Sequence, residues 1–218
     1  MLKAQGILKA YGSLPVLKGI DLHIKEAEVV SIVGASGAGK STLLHVLGTL
    51  DYPDQGEILL NGTSIFKLSQ QKLAAFRNQQ IGFIFQFHNL LPEFSALENV
   101  MIPGLIGGRP AQEVKKRAME LLQMLGMLER KEHKPSELSG GEQQRISVAR
   151  ALINDPSIVF ADEPSGNLDS KNADELHDLF FKLRDELKQT FVIVTHNKEL
   201  AEMADRKLEI ADGVILTD

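Results

Sequence analysis

The chain has 218 residues, 43% of them hydrophobic and 24% charged, which is typical of one globular domain with a packed core. Its net charge of -5 and its lack of tryptophan argue against a nucleic-acid partner, because neither a basic surface nor an aromatic stacking surface is expected. The lack of cysteine excludes disulfides, thiolate zinc sites and cysteine nucleophiles. No apolar run is long enough to span a membrane, so we expect any membrane role to require a partner protein.

Predicted strands and helices alternate along the chain. Short apolar runs predict strands at 29–33, 58–60, 81–85, 158–161, 191–195 and 207–210. Apolar residues at helical spacing predict helices at 40–50, 110–126 and 174–187, and turns are expected at Asn61-Gly62 and Asp212-Gly213. This alternation predicts an α/β fold with a mainly parallel sheet, in a single domain spanning 1–218. A mostly helical stretch from about 86 to 147 interrupts it and predicts a helical subdomain.

The first of these strands runs into a glycine-rich segment that opens the next helix. The segment reads Gly34-Ala35-Ser36-Gly37-Ala38-Gly39-Lys40-Ser41-Thr42. Glycines let several backbone N–H groups converge on one point, and a helix N-terminus adds a partial positive charge, so the segment predicts a phosphate-binding loop. Lys40 is placed to reach the β- and γ-phosphates, and the Ser41 hydroxyl is placed to ligate Mg²⁺. The same spacing disfavours a dinucleotide-binding loop.

A later apolar strand, 158–161, delivers two carboxylates at its end, Asp162 and Glu163. Exposed acids at a strand end are common, so this pattern alone is weak. Together with a phosphate-binding loop it predicts that Asp162 holds Mg²⁺, directly or through water. Glu163 is then expected to orient or deprotonate the water that attacks the γ-phosphate.

A third motif, Leu138-Ser139-Gly140-Gly141-Glu142-Gln143-Gln144-Arg145, allows two interpretations. Ser139 and Glu142 have the spacing of a capping box, so the segment could be only a well-capped helix start. A capped helix does not require Gly140 and Gly141, however, and these glycines would leave the helix N-terminus open to a phosphate.

With these motifs, nearly the whole chain resembles the ATPases of ATP-binding cassette (ABC) transporters. The resemblance implies a P-loop ABC ATPase core with an N-terminal antiparallel β element, and ATP and Mg²⁺ as ligands. It implies that Ser139, Gly140 and Gly141 contact the γ-phosphate held by a second copy of the chain, so that two ATP molecules are sandwiched in a homodimer.

The resemblance also implies roles for four single residues. Tyr11 occupies the position of an aromatic residue that stacks on adenine. Gln86 is similar to the glutamine that senses Mg²⁺ and the γ-phosphate, so it is expected to act both in catalysis and as a metal ligand. His196 is similar to the switch histidine, and Asp169 belongs to a loop along the dimer interface. Lys40, Glu163 and His196 complete the expected catalytic set.

Two segments point to one branch of the family. The Gly166-Asn167 pair within 162–169 is similar to the lipoprotein-releasing LolD type and to the MacB and FtsE types, and the segment 85–100 is most similar to the LolD type. We therefore expect an ATPase that drives lipoprotein release, peripheral on the cytoplasmic face of the inner membrane. Integral membrane transporter subunits on separate chains are the expected partners. Efflux of the MacB type and divisome regulation of the FtsE type remain the alternatives.

Overall fold

The computed structural model describes residues 1–217 and contains two β-sheets with helices around them. The strands are β1 Leu2–Tyr11, β2 Leu14–Ile24, β3 Val29–Val33, β4 Gln55–Leu60, β5 Thr63–Ser64, β6 Ile81–Phe85, β7 Ile158–Asp162, β8 Thr190–Val194, β9 Arg206–Ala211 and β10 Val214–Thr217. The α-helices are α1 Lys40–Leu47, α2 Gln70–Gln80, α3 Ala96–Ile106, α4 Ala111–Met124, α5 Gly140–Leu152, α6 Ser170–Leu187 and α7 Lys198–Met203.

The larger sheet has the strand order β10-β9-β3-β8-β7-β6. Its strands from β9 to β6 are parallel, and only the edge strand β10 is antiparallel to its neighbour. The predicted mainly parallel sheet is therefore confirmed. Because the strands β3, β8 and β7 are buried on both faces, they read as apolar runs such as Ile158–Ala161.

The smaller sheet has the order β2-β1-β4-β5 and is antiparallel throughout, which confirms the expected N-terminal antiparallel element. One hydrophobic cluster lies between this sheet, the larger sheet and α1, where Leu43, Leu44 and Leu47 are fully buried. A second cluster joins the other face of the larger sheet to helices α3 to α6. The two clusters hold the sheets and helices in one compact unit, with α1 fixed between the sheets.

Several observed boundaries differ from the predicted ones: β4, for example, begins at Gln55 rather than at 58, and two helix boundaries differ for local reasons. Helix α1 ends at Leu47 rather than at 50, because Gly48 caps it and Thr49 has a left-handed φ of 64°. Helix α6 begins at Ser170 rather than at 174, because the Asp169 carboxylate accepts a hydrogen bond from the Asn172 N–H and so caps the helix. Helix α5 continues to Leu152, so the helical stretch extends past the predicted limit at 147.

Helix α2 was not predicted. Leu73 is its only buried residue, so it lacks the apolar periodicity by which the other helices are recognised. Within residues 1–217, no helix combines the length and hydropathy needed to cross a membrane.

Candidate active site

Most of the predicted site residues lie at one edge of the larger sheet, and Ser139, Gly140 and Gly141 do not. The phosphate loop follows β3, and His196 follows β8. Asp162 ends β7 and Glu163 comes directly after it, and Gln86 follows β6. These four strands are neighbours, and their register places Phe85, Asp162 and Val194 side by side. Parallel α/β sheets bind ligands outside the carboxyl ends of their strands, and this edge is such a place.

The phosphate loop needs its glycines for different reasons. Gly37 has a φ of 78° with open space around it, so only its backbone conformation requires glycine. At Gly34 a Cβ would lie 2.1 Å from the Ile210 carbonyl oxygen, so this glycine lets β9 approach the loop. Ala35, Ser36 and Gly37 are exposed, whereas Ala38 is buried. The exposed part of the loop is therefore anchored by Ala38, which packs in the hydrophobic core.

The side chains of the loop and of β7 converge. The Lys40 ammonium donates to the carbonyl oxygens of Gly34 (2.9 Å) and Ala35 (2.8 Å). The Ser41 hydroxyl donates to Asp162 Oδ1 at 3.1 Å, so two of the three predicted Mg²⁺ ligands lie next to each other. Mg²⁺ is commonly held by one or two protein oxygens together with phosphates and waters, and this oxygen pair fits such a site.

His45 also contacts Asp162, which sequence reasoning missed. Its Nε2 lies 3.6 Å from Asp162 Oδ2, the carboxylate oxygen that Ser41 does not bind. The sequence spacing could have predicted this contact, because His45 follows Ser41 by four residues and so lies on the same face of α1. Asp162 is therefore hydrogen-bonded to Ser41 through one carboxylate oxygen and faces His45 with the other.

Glu163 and His196 form a close pair. Glu163 Oε2 lies 2.7 Å from His196 Nδ1 and accepts a hydrogen bond from the His196 backbone N–H at 3.2 Å. His196 is largely exposed, with 73% of its side chain accessible, whereas 21% of the Glu163 side chain is accessible. Glu163 also has a left-handed φ of 47°. The pair can therefore act on a water molecule that enters from the solvent side.

Tyr11 lies at the rim of an open cleft lined also by Val16, Glu163 and the phosphate loop. Its hydroxyl donates to Asp51 Oδ2 at 2.6 Å, and this hydrogen bond raises the pKa of the phenol. The Lys9 ammonium lies 5.1 Å from the ring centroid. Half of the Tyr11 surface is still exposed, so the ring is available to a planar ligand in the cleft. No sequence pattern indicated the hydrogen bond between Tyr11 and Asp51, which are 40 positions apart.

Gln86 is held by a residue that the sequence analysis did not assign to the site. Its Nε2 donates to Asn167 Oδ1 at 3.0 Å, and Asn167 Nδ2 donates to the Gln86 carbonyl oxygen at 3.2 Å. Asn167 lies on the segment between β7 and α6, and so does Asp169. The Asp169 carboxylate is engaged as the cap of α6, and the backbone N–H of Asn172 lowers its pKa.

The 138–145 motif does form the capping box. Ser139 Oγ accepts from the Glu142 N–H at 3.3 Å, and Glu142 accepts from the Ser139 N–H at 2.8 Å, which lowers the pKa of Glu142. The glycines differ from each other. A Cβ at Gly141 would lie 2.4 Å from Asn172 Oδ1, whereas a Cβ at Gly140 would meet only ordinary contact with Leu168.

Packing against α6 therefore requires Gly141, while the exposed Ser139 and Gly140 leave the helix N-terminus accessible. None of Ser139, Gly140 and Gly141 lines the cleft beside the phosphate loop.

Similar proteins are known. The ABC transporter family matches residues 17–166. A lipoprotein-releasing system ATP-binding protein, LolD, of Cytophaga hutchinsonii is 62% identical over 99% of this chain and 99% of its own length. LolD of Bacteroides fragilis is 60% identical over 99% of this chain and its full length. An ATP-binding cassette solved as a dimer in a post-hydrolysis state, bound to ADP and Pi, is 41% identical with a TM-score of 0.89, covering 99% of this chain and 97% of that one.

Proposed function

This chain belongs to the ABC transporter family, as an ATP-hydrolysing subunit, and we propose that its ATPase cycle drives the release of lipoproteins from the inner membrane through separate membrane subunits. The observation that carries the lipoprotein assignment is its identity of 60–62% with proteins named for lipoprotein release, across essentially the full length of both chains. The geometry of the site supports the chemistry, residue by residue.

The phosphate loop binds the triphosphate of ATP. Backbone N–H groups from Gly34 to Thr42, at the N-terminus of α1, face the phosphates, and Tyr11 stacks on the adenine. The Lys40 ammonium exchanges its two loop carbonyl partners for phosphate oxygens. Ser41, Asp162 and Gln86 would hold Mg²⁺, which would neutralise the charge that develops on the phosphoryl oxygens.

Glu163 and His196 act on the γ-phosphate. The Glu163 carboxylate accepts a hydrogen bond from the attacking water, which orients the water, and it is placed to accept the proton that the water releases. His196, 2.7 Å from that carboxylate and open to solvent, orients Glu163 and is placed to donate to a γ-phosphate oxygen. These residues supply positioning and charge compensation, which dominate phosphoryl-transfer catalysis.

A second copy of the chain completes each site with Ser139, Gly140 and Gly141, and Asp169 lies along the interface. Two observations support this arrangement. These three residues begin a helix whose N-terminus is accessible, yet they do not line the cleft of their own chain. A related cassette of 41% identity was solved as a dimer. The γ-phosphate then bridges two protomers, so hydrolysis weakens the dimer.

The membrane subunits dock in an apolar groove between α2, β6, α3 and α5, which we call the helical groove. Its apolar lining includes Ala74, Phe83, Phe85, Pro103, Ile106 and Ala151, and polar groups of Arg77, Asn78, Asn89, Arg150 and Asn154 line it as well. Within it, Ile106 exposes 75% of its surface, and Phe87, two residues after Phe85, exposes 72%. Exposed apolar side chains that cluster around a groove, rather than standing singly on the surface, mark an interaction surface. Docking there places the chain peripherally on the cytoplasmic face of the membrane and links its partner to Gln86, which lies directly before Phe87.

The proposal is tested by identifying the partner and then reconstituting release. The Glu163→Gln chain, tagged and purified with ATP from solubilised membranes, is expected to retain a membrane protein bound to lipid-modified proteins. Ile106→Asp is expected to abolish this capture, whereas Leu216→Asp, which changes an exposed apolar residue on β10, is expected to leave it intact. In proteoliposomes, the wild-type chain with its partner is expected to release a lipoprotein upon addition of ATP. A partner carrying an efflux conduit or cell-wall hydrolase activators, with no lipoprotein release, would contradict the proposal.

A further inference from the structure

The side chain of Gln86 is tied to the segment between β7 and α6 by two hydrogen bonds. Gln86 Nε2 donates to Asn167 Oδ1, and Asn167 Nδ2 donates back to the Gln86 backbone carbonyl, at 3.0 and 3.2 Å. The two residues are 81 positions apart in the sequence. The paired bonds close a ring between the two loops, so Asn167 engages both the side chain and the backbone of Gln86.

The donors and acceptors of this ring leave one orientation for the Gln86 amide. Asn167 commits its only donor group, Nδ2, to the Gln86 carbonyl, so it presents only an acceptor, Oδ1, to the Gln86 side chain. Gln86 can form a hydrogen bond with this acceptor only through its donor, Nε2. Its amide oxygen Oε1, the atom that can ligate a cation, is then the end that Asn167 leaves free.

Gly166 is needed for Gln86 to lie where it does. A Cβ at this position would come within 2.9 Å of Gln86 Nε2 and 3.2 Å of its Cδ. Gly166 does not have a positive φ, so its backbone conformation is open to other residues. Its missing side chain therefore serves the close approach of Gln86.

The segment that carries Gly166 and Asn167 is itself anchored. The Gly166 N–H donates to the Glu163 carbonyl at 3.0 Å. Ser165 Oγ lies 3.0 Å from Nε2 of His177, a residue of α6 that is only 2% exposed. The segment is thus held between the end of β7 and a buried helix face, which makes it a firm support for Gln86.

We propose that Gly166 and Asn167 form a seat that fixes the amide orientation of Gln86, which makes Asn167 a positioning residue for this Mg²⁺ ligand. The inference rests on the proposed function, in which Gln86 ligates Mg²⁺ beside ATP. It gives the Gly-Asn pair a chemical role: the segment at the dimer interface controls whether the Gln86 oxygen is presented to the cation.

The test measures binding of the non-hydrolysable analogue AMP-PNP as a function of Mg²⁺ concentration, and again in EDTA. For Asn167→Ala we expect the half-saturating Mg²⁺ concentration to rise about fivefold, because a net hydrogen bond is worth roughly 1 kcal/mol. Binding in EDTA is expected to be unchanged. Gly166→Ala, which displaces Gln86 sterically while keeping Asn167, is expected to shift Mg²⁺ dependence in the same direction. Gln112→Ala, an exposed amide on α4, serves as the control.

A double-mutant cycle separates positioning from a general structural role. In a Gln86→Ala background, Asn167→Ala is expected to have no further effect on Mg²⁺ dependence, because there is no amide left to orient. The inference is overturned if Asn167→Ala leaves the Mg²⁺ dependence as in wild type, or if its effect persists without Gln86. A wild-type chain that binds no AMP-PNP would instead overturn the proposed function itself.

Discussion

At the scale of single residues, the site depends on a Glu163 backbone that is energetically unfavourable. Glu163 has a φ of 47°, a region that non-glycine residues enter at a cost of about 1–2 kcal/mol. The Glu163 N–H donates to the Val194 carbonyl at 2.9 Å, which ties this strained residue to the end of β8. The same β8 end leads to His196. The end of β8 therefore both holds the strained Glu163 backbone and positions His196 against the Glu163 carboxylate. Strained backbone of this kind is found at functional sites.

Replacing Glu163 by Gln removes the carboxylate and keeps its size. We expect ATP turnover to fall by about 100-fold or more, because an amide cannot accept a proton from water, while the affinity for ATP stays near the wild-type value. Steady-state phosphate release and equilibrium nucleotide binding measure the two effects. Glu202→Gln, an exposed carboxylate on α7, is the matched control. Wild-type turnover by the Glu163 variant would remove this residue from the mechanism.

The buried His177 predicts a pH dependence of stability. Burial lowers its pKa, although the nearby acids Asp174, Glu199 and Asp178 oppose the shift in part. Since the unfolded chain then binds a proton more readily than the folded one, the free energy of unfolding should decrease as pH falls through about 6.5.

Urea unfolding at pH 7.5 and 5.5 measures this loss. His177→Gln can keep a hydrogen bond to Ser165 but cannot titrate, so we expect it to reduce the loss of stability between the two pH values. The exposed His23→Gln should behave as wild type in the same comparison. If the His177 variant lost as much stability between the two pH values as the wild type, protonation of His177 would not be the cause of the loss.

From the sequence, the position of a single residue can be predicted where local spacing determines it. The phosphate loop and the Asp162-Glu163 pair lie directly next to their strands, so a strand prediction also places them. Asn167 was missed as a partner of Gln86 because the contact joins two loops 81 positions apart, and only the folded sheet brings β6 next to β7.

At the scale of elements, the buried strands were the most predictable. The bounds of β3 and β6 coincide with the predicted 29–33 and 81–85, because strands buried in a parallel sheet are continuous apolar runs with sharp ends. Helix α2 escaped prediction because one buried residue gives no periodicity. The start of α6 was misplaced because the Asp169 cap was not recognised and only the apolar face was counted.

The turn between β2 and β3 contains an unfavourable residue away from the active site. Ala27 has a φ of 53°, where glycine is free of steric penalty, and its N–H donates to Thr190 Oγ1 at 2.9 Å. We expect Ala27→Gly to raise the free energy of unfolding by about 1 kcal/mol, because the backbone conformation is relaxed and the N–H is kept.

Urea denaturation measures the effect of this turn substitution. The matched control is Ala75→Gly in α2, an exposed helical position, where the same change should lower stability by about 1 kcal/mol. If both glycine variants were destabilised, the left-handed conformation assigned to Ala27 would be wrong.

At the scale of the whole molecule, the parts of the proposed nucleotide site lie in two places. The phosphate loop, Asp162, Glu163 and His196 share one edge of the larger sheet, while Ser139 to Gly141 begin α5 in the helical part. The sequence predicted this separation through the family resemblance. Composition and periodicity alone could not, because nothing in a single chain's pattern specifies which surface meets a second copy.

The most direct measurement is the molar mass of the Glu163→Gln chain by light scattering, with ATP and Mg²⁺ and with ADP. We predict a dimer with ATP and a monomer with ADP. Adding Ser139→Arg should leave a monomer that still binds ATP, because the bulky cation blocks the N-terminus of α5. Ser95→Ala, which removes the equivalent cap from α3, should still dimerise and so controls for the lost capping box. A Glu163→Gln chain that binds ATP and stays monomeric would contradict the shared site.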